Sequence, residues 1–341
     1  MKNKRKIKVT VLLGGDSPER EVSIASGTGV ARALSALGHG VRTLDPALPL
    51  EGQGESAEAC IGEEPPGELH KLPPEKICEW AGSEIIQFAD VVFVGLHGGK
   101  GEDGTVQAVL DMMGVKYTGT GVLGSALAMD KDRSKALFND AGVNTAPHII
   151  TVGSGDIEVQ RIRAAIENGM GFPVIIKPNS QGSSIGFSFV PGPKELLPAL
   201  EEGSRFGREL MVEKYIPGRE VTVAVLDGTA LPVVEIVPES GFYDYKSKYT
   251  KGTSRYDVPA KIDEGIASRL KREAMMAYKA LLCRDYARVD FRLSPEGDSY
   301  CLEVNTLPGM TGLSLVPMAA LENGMTFGEL VEKICFMALE R

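Results

Sequence analysis

Between residues 7 and about 120, short apolar runs alternate with longer amphipathic ones: strand Ile7 to Leu13, helix Glu19 to Leu37, strand Val41 to Leu44, strand Asp90 to Leu96, helix Thr105 to Met113. Strands spaced by helices in this way fold as an open parallel sheet, with ligands at the carboxyl ends of the strands. At 341 residues the chain exceeds one ordinary core, so further domains are expected. We read an N-terminal α/β domain over 1–121, a central α+β domain over 122–213 and a C-terminal α+β domain over 214–341. The central unit carries helices Val122 to Ala141 and Ile157 to Asn168 and strands Val174 to Lys177, Phe187 to Val190 and Glu209 to Lys214. The last carries strands Glu220 to Leu226 and Leu231 to Val237, helix Glu264 to Leu282, a hairpin, and a terminal helix Thr326 to Leu339. Pro46 to Pro74, rich in Pro, Gly and Glu, reads as a surface insertion.

The hairpin is the most informative element. Arg288 to Leu293 and Tyr300 to Thr306 flank a turn, Ser294 to Asp298. Period-2 alternation puts Arg288, Asp290 and Arg292 on one face, and Cys301, Glu303 and Asn305 on one face of the second strand. If Leu293 pairs with Tyr300, Asp290 stands opposite Glu303. Facing like charges destabilise a sheet unless something positive lies between them, and converging oxygen donors suit a hard divalent cation such as magnesium. The alternative is a solvated sheet face on which Arg288 and Arg292 are the partners. Beyond the hairpin, the Pro-Gly turn and second glycine of Leu307 to Gly312 let backbone approach a ligand closely.

Composition narrows the partners. The apolar share of 43% and charged share of 24% are those of a soluble globular protein. A net charge of -9 argues against nucleic acid or an anionic membrane, so any phosphate site must be built locally. The basic start followed by a short apolar run, Met1 to Leu13, meets Gly14 without a small-residue cleavage site and reads as a buried strand rather than a signal peptide. No segment has the roughly 18 apolar residues of a membrane span. Cys60, Cys78, Cys283, Cys301 and Cys335 are scattered, which fits a reduced cytoplasmic compartment, and four scattered histidines argue against zinc.

Four loops carry candidate chemistry. Lys177 to Gly186 follows an apolar strand; its lysine precedes the glycines, so it is no Walker A loop, but its amides and the Ser180, Ser183 and Ser184 hydroxyls suit a polyphosphate as well as a plain Gly/Ser hairpin. In Gly14 to Ser23, Ser17 reads as an N-cap with Pro18 at the first helical position, and Glu19 either complements the helix dipole or holds a substrate ammonium. Asp45 after the second strand keeps a dinucleotide reading open, although G-x-G-x-x-G spacing is missing. Gly95 to Gly104, with His97, lies at the same sheet edge as Glu19, so the two loops form one side of a cleft. Glu239 to Pro259, long, polar and rich in tyrosine, reads as an ordered lid or a surface Ω-loop.

Taken in order, Gly14 to Ser23, His97 to Gly104, Lys177 to Gly186, Tyr243 to Tyr249 and Arg288 to Gly312 resemble the ATP-grasp superfamily and, within it, the D-alanine–D-alanine ligases, across nearly the whole chain. The resemblance implies two α+β domains clasping ATP beside the N-terminal α/β domain, with ATP and two Mg2+ (or Mn2+) as cofactors and a homodimer as the assembly. It implies that Lys131, Lys177 and Ser184 meet phosphates; that Glu213, Lys214, Tyr215, Ile216 and Glu220 bind adenine and ribose; and that Asp290, Glu303 and Asn305 hold metal. By the same resemblance Arg288 and the Gly309 backbone stabilise the acyl-phosphate and tetrahedral intermediate, and Glu19, Ser183 and Tyr249 form a triad beside the first D-alanine. His97, Ser314 and Leu315 then contact the amino-acid pocket, and Lys248 reaches the transferred phosphate. The implied reaction is ATP-dependent joining of two D-alanines for cell-wall peptidoglycan, with D-lactate or D-serine as the alternative second substrate. A nucleotide-binding regulator without turnover and a nicotinamide-dependent dehydrogenase are the competing classes.

Overall fold

The computed structural model describes residues 5–51, 53, 72–153, 155–238, 252–312 and 314–341. Most of the Pro46 to Pro74 insertion and most of the expected lid, including Lys248 and Tyr249, lie outside the described residues.

The first sheet is three-stranded and parallel, in the order β2 (Gly40–Leu44), β1 (Lys8–Leu12), β3 (Val91–Val94). All four residues of β3 and four of five in β1 are buried, as strands covered on both faces must be. Helices α1 (Arg20–Ala36), α2 (Pro74–Ala81), α3 (Glu84–Gln87) and α4 (Thr105–Met112) accompany it. Ser17 is not the cap of α1. The helix opens at Arg20, past the Pro18 start expected, with Glu19 at the N-cap position. The Ser17 hydroxyl accepts from the Glu19 N–H at 3.1 Å and donates to the His97 carbonyl, so it ties two loops together instead.

The second sheet is antiparallel, ordered β4 (His148–Val152), β7 (Glu209–Lys214), β5 (Val174–Pro178), β6 (Ser188–Val190). The continuous helix expected over Val122 to Ala141 is two helices, α5 (Val122–Met129) and α6 (Lys131–Asp140). Asp130 breaks it with ψ of 101°, because its carboxylate caps α6 by accepting from the Arg133 N–H at 3.1 Å and also accepts from Asn179 Nδ2 at 2.9 Å. Helices α7 (Asp156–Ala165) and α8 (Leu196–Ser204) cover this sheet. Ile162, Ile166, Leu196 and Leu200 pack there on Val174, Ile176, Leu210 and Val212.

The third sheet is also antiparallel: β11 (Ser254–Asp257), β10 (Val234–Pro238), β8 (Arg219–Leu226), β12 (Tyr286–Leu293), β13 (Ser299–Asn305), with the short β9 (Thr229–Ala230) on β8. The strand expected from Leu231 starts at Val234. Helix α9 (Glu264–Ala280), capped by Asp263, packs Leu270, Ala274 and Ala277 beneath this sheet. The last helices, α10 (Leu315–Glu322) and α11 (Phe327–Leu339), return to the first sheet. Val316, Leu330, Val331 and Ile334 share a core with Val9, Leu34 and Val92, and Thr326 with Glu329 forms a capping box on α11.

The hairpin register departs from the simple alternation. Asp290 does face Glu303, but Phe291 faces Cys301, Leu293 faces Ser299 rather than Tyr300, and Leu302 is the extra residue of a β-bulge. The bulge turns Cys301 away from the Glu303 face into the core, where it is fully buried beside Val289 and Phe291.

Gly218, between β7 and β8, has φ of +121°, and a Cβ there would lie 2.1 Å from the Leu293 carbonyl oxygen. Gly218→Ala is therefore expected to lower stability by about 3 kcal/mol, through steric overlap and left-handed strain together. Urea unfolding measures it. An unchanged midpoint would mean this crossover is not held as described.

Candidate active site

Two pockets meet where the three sheets converge, and both include Gly182. The larger lies between the second and third sheets. It gathers Lys131, Lys177, Ser184, Glu213, Lys214, Tyr215, Ile216, Glu220, Asp290 and Glu303, with apolar walls from Ile175, Phe187 and Leu302. The smaller opens at the carboxyl ends of β1 and β3 and gathers Glu19, His97, Ser183, Arg288, Asn305, Gly309, Ser314 and Leu315. Every described residue that the family resemblance assigns to the site thus lines one of the two, whereas Ser180, offered with Ser183 and Ser184 as a polyphosphate hydroxyl, lines neither.

In the larger pocket charges are interleaved. Lys177 Nζ lies 2.8 Å from Glu213 Oε2, and Lys131 Nζ lies 3.5 Å from Glu303 and donates to the Gln181 carbonyl at 2.6 Å. Burial would raise the Glu213 carboxyl, but Lys135 and Lys177 outweigh it and hold the group at about 2. Arg292, which the alternative reading made a partner of the hairpin carboxylates, instead donates to the Ile216 carbonyl at 3.1 Å and the Gly218 carbonyl at 2.9 Å, and sits 3.5 Å from Glu220. It holds the crossover from β7 to β8 as one wall of the pocket.

The reading of the hairpin that gave Asp290 an arginine partner is met in part. Asp290 does find an arginine: Arg288 donates Nε and Nη2 to it at 2.8 and 2.7 Å. Thr222 Oγ1 donates at 2.6 Å and Asn305 Nδ2 at 2.9 Å. Arg292 is engaged elsewhere. Among the described residues no three His, Cys, Asp or Glu side chains cluster as a closed metal cage. The donors are two carboxylates and one amide oxygen, all hard. That set suits magnesium, which is commonly held by one or two carboxylates with the remaining positions filled by substrate phosphates and water.

The smaller pocket is built by contacts between units. Glu19 accepts from the Ser183 hydroxyl, reaching from the first unit to the glycine-serine loop of the second. That carboxylate is wedged between glycines: a Cβ on Gly98 or Gly182 would come within 2.8 or 2.9 Å of Glu19 Oε2. Ser183 and Ser184 hold positive φ of 50° and 59°, backbone strain of the kind found where loops grip ligands. Glu102, which the sequence reading named only as part of its loop, also lines the pocket; burial and the neighbouring Glu19 push its carboxyl well above the usual range. A pocket with two desolvated carboxylates favours a cationic group such as an ammonium.

His97 fixes the far wall. Its Nδ1 lies 2.9 Å from the Leu307 carbonyl, so Nδ1 carries the proton, and Nε2 at 3.1 Å accepts from the Ser26 hydroxyl. Ser26 in turn accepts from the Met310 N–H at 3.1 Å. The loop after β13 is thereby tied to α1. The dinucleotide reading loses its acidic residue here. Asp45 accepts from the Gly15 N–H at 3.1 Å and the Ala47 N–H at 3.0 Å and pairs with Arg20, and its carboxylate fills the space above Gly14.

Paired antiparallel sheets closing on a lysine-lined and carboxylate-lined cleft, beside a parallel sheet with its own pocket, define the ATP-grasp class. Residues 8–120 match the family model described as D-ala D-ala ligase N-terminus, and residues 137–335 match D-ala D-ala ligase C-terminus. The chain is 41% identical over 332 residues to the D-alanine–D-alanine ligase of Geobacter sulfurreducens, covering 97% of this chain and 94% of that one. It is 39% identical over 328 residues to that of Aquifex aeolicus, covering 96% and 99%. Among solved structures it is similar to the Bacillus anthracis D-alanine–D-alanine ligase complexed with ATP, with a TM-score of 0.77, 29% identity and 98% of each chain covered. It is equally similar to the VanG D-Ala:D-Ser ligase of Enterococcus faecalis, with a TM-score of 0.77, 30% identity, and 98% and 100% covered. The chain belongs to the D-alanine–D-alanine ligase family.

Burial lowers the His97 pKa from 6.5, although Glu19 and the Leu307 carbonyl oppose the shift. Below that value the unfolded chain takes up a proton that the folded chain refuses until a lower pH. Stability therefore falls as pH drops through 6.5 and levels off beneath the folded-state value. His97→Gln is expected to remove this share of the acid loss. Urea midpoints of both proteins at about pH 7.5 and about pH 5 would show it; parallel losses in the two would contradict a buried neutral His97.

Proposed function

We propose that the two pockets divide one reaction between them, the larger holding ATP and the smaller the amino acids. The chain is an ATP-dependent ligase that joins two D-alanines into D-alanyl-D-alanine, a building block of cell-wall peptidoglycan, releasing ADP and phosphate. The observation that carries this division is the Glu19 to Ser183 contact, which brings an ammonium-seeking carboxylate onto the glycine-serine loop between the pockets.

The residue types follow from the chemistry. A carboxylate resists attack by an amine until one of its oxygens becomes a good leaving group, so the first D-alanine takes the γ-phosphoryl group of ATP and ADP departs. Attack by one anion on another requires neutralisation, and Lys131 and Lys177 supply it from the protein side. Glu220 takes the ribose hydroxyls, and Glu213, Lys214, Tyr215 and Ile216 frame the adenine. Asp290, Glu303 and Asn305 would hold two magnesium (or manganese) ions, which supply charge neutralisation at the phosphates when bound. Arg288 and the Gly309 N–H face the acyl carbon, stabilising negative charge when the neutral amine of the second D-alanine attacks and phosphate leaves. Glu19 and Ser183, with Tyr249, orient the first D-alanine; His97, Ser314 and Leu315 shape its wall, and Lys248 reaches the transferred phosphate.

Work in the cytoplasm as a homodimer belongs to the same proposal. Cys78, Cys283, Cys301 and Cys335 are free thiols, in keeping with a reducing compartment. No helix among the described residues is long and apolar enough to cross a membrane.

ADP release with ATP and magnesium is expected with D-alanine alone, yielding the dipeptide by mass, and not with L-alanine. Turnover only with D-alanine plus D-serine or D-lactate would move the second substrate to that class. Silence with every amino acid would end the ligase reading. Arg288→Met is expected to lower kcat by about 10²–10³, the range for removing one donor to a developing oxyanion.

A further inference from the structure

Lys135 is fully buried and lines neither pocket. It stands one helical turn beyond Lys131 on α6, so both ammonium groups project from one face of that helix. Lys131 enters the larger pocket, whereas Lys135 stops behind it, in contact with Glu213 Oε1. The other oxygen of Glu213 is 2.8 Å from Lys177. That second contact follows from register: Ile175 on β5 faces Glu213 on β7, and Lys177 is its diagonal neighbour. Glu213 is thus one carboxylate shared by a buried lysine and a pocket-lining lysine. A buried ammonium is costly to desolvate, and a single Lys177 to Glu213 pair would have satisfied the carboxylate without it.

The surroundings of Lys177 indicate what the extra charge does. Glu213, Glu303 and Glu220 all act on Lys177 and raise its pKa against the effect of burial. Left alone with them, Lys177 would present no net positive charge to a ligand. Lys135, Glu213 and Lys177 together carry one net positive charge, and of the two lysines only Lys177 opens toward the cleft.

We propose that Lys135 is a positioning residue for nucleotide binding: by countering Glu213 from behind, it leaves Lys177 with a net positive charge directed at the phosphates of ATP. This rests on the reading of the larger pocket as the ATP site. Replacing Lys135 with a neutral side chain of similar length hands Glu213 to Lys177 alone, and the net charge of the cluster falls from +1 to zero. Replacing Glu213 with glutamine at the same time restores it to +1.

Equilibrium binding of AMP, ADP and ATP with magnesium to the full chain tests this. For Lys135→Met the loss is expected to grow with the phosphate charge, roughly tenfold or more for ATP and little for AMP. In the Lys135→Met, Glu213→Gln double variant the ratio of ATP to AMP affinity is expected to return toward wild type, even if adenine contacts weaken all three nucleotides alike. A lysine that merely props the helix gives equal losses for the three nucleotides in the single variant and a worse double variant, and either result overturns the proposal. Lys177→Met separates the two levels. If it collapses the ATP to AMP ratio while Lys135→Met does not, this inference fails and the ATP site stands. If neither variant changes the ratio, the larger pocket is not the phosphate site. Circular dichroism and melting of each variant guard against misfolding, and the double variant, which buries no unpaired charge there, keeps the comparison open if Lys135→Met alone is unstable.

Discussion

Asp290 and Glu303 face each other across β12 and β13, and this opposition of like charges organises much of what surrounds it. Asp290 is stabilised by Arg288 from its own strand, Thr222 from β8 and Asn305 from β13. Glu303 is approached by Lys131 from α6, which brings the second unit against the third. Register is fixed at both ends of the hairpin. At the tip the Ser294 N–H donates to the Asp298 carbonyl at 2.8 Å and closes a five-residue turn, Ser294 to Asp298. At the base Arg288 faces Asn305. These constraints differ by one residue, and the bulge at Leu302 absorbs the difference. Its consequence is chemical: Leu302 and Glu303 both face the cleft, one as an apolar wall and one as a charge, and Cys301 is buried.

The smaller pocket depends on contacts that no single unit can make. Glu19 comes from the loop before α1, Ser183 from the loop after β5, and Arg288 and Asn305 from the hairpin. His97 adds a tie from the loop after β3 to the Leu307 carbonyl. The first sheet also lends its core to α10 and α11, so the residues around Leu307 to Leu315 are braced from below by packing and from the side by His97 and Ser26. Such bracing is what a site needs if a reactive intermediate is to be held and kept from water.

Much of this could be read from the sequence because it is local. The buried strands of the first sheet, α9 and α11 are legible from apolar periodicity, and the cleft between the Glu19 and His97 loops follows from both loops leaving the carboxyl edge of one parallel sheet. What could not be read depended on partners distant in the chain. Asp130 breaks a helical run because Asn179 is there to bond it. Ser17 gives up the cap for the His97 carbonyl. The bulge arises from a conflict between turn and base that alternation alone does not show. Strand β4 is short and only partly buried, with Val152 exposed, so its periodicity is weak. Arg292 had a signal, its place on the Asp290 face, but its acceptors at Ile216 and Gly218 lie 76 and 74 residues away. Lys135 had a signal too, at i+4 from Lys131, yet only tertiary burial distinguishes it from a solvated helix face.

A chain of net charge -9 that binds a triphosphate must do so against its own average field. The larger pocket meets this by grouping its charges so that acids and bases are satisfied in different directions. Arg292 neutralises Glu220 while holding the crossover, and Lys135 takes up half of Glu213 from behind the sheet. Asp290 and Glu303 are the acids left facing the cleft, and in the proposed role their charge is directed to metal ions that arrive with the phosphates. In that role the metal ions would offset much of the phosphate charge, leaving the protein lysines only a part of it to meet. A small local excess held rigidly is enough. The site's cations are accordingly spread over β5, β12 and α6 rather than gathered into a basic patch that the sequence would have shown at once.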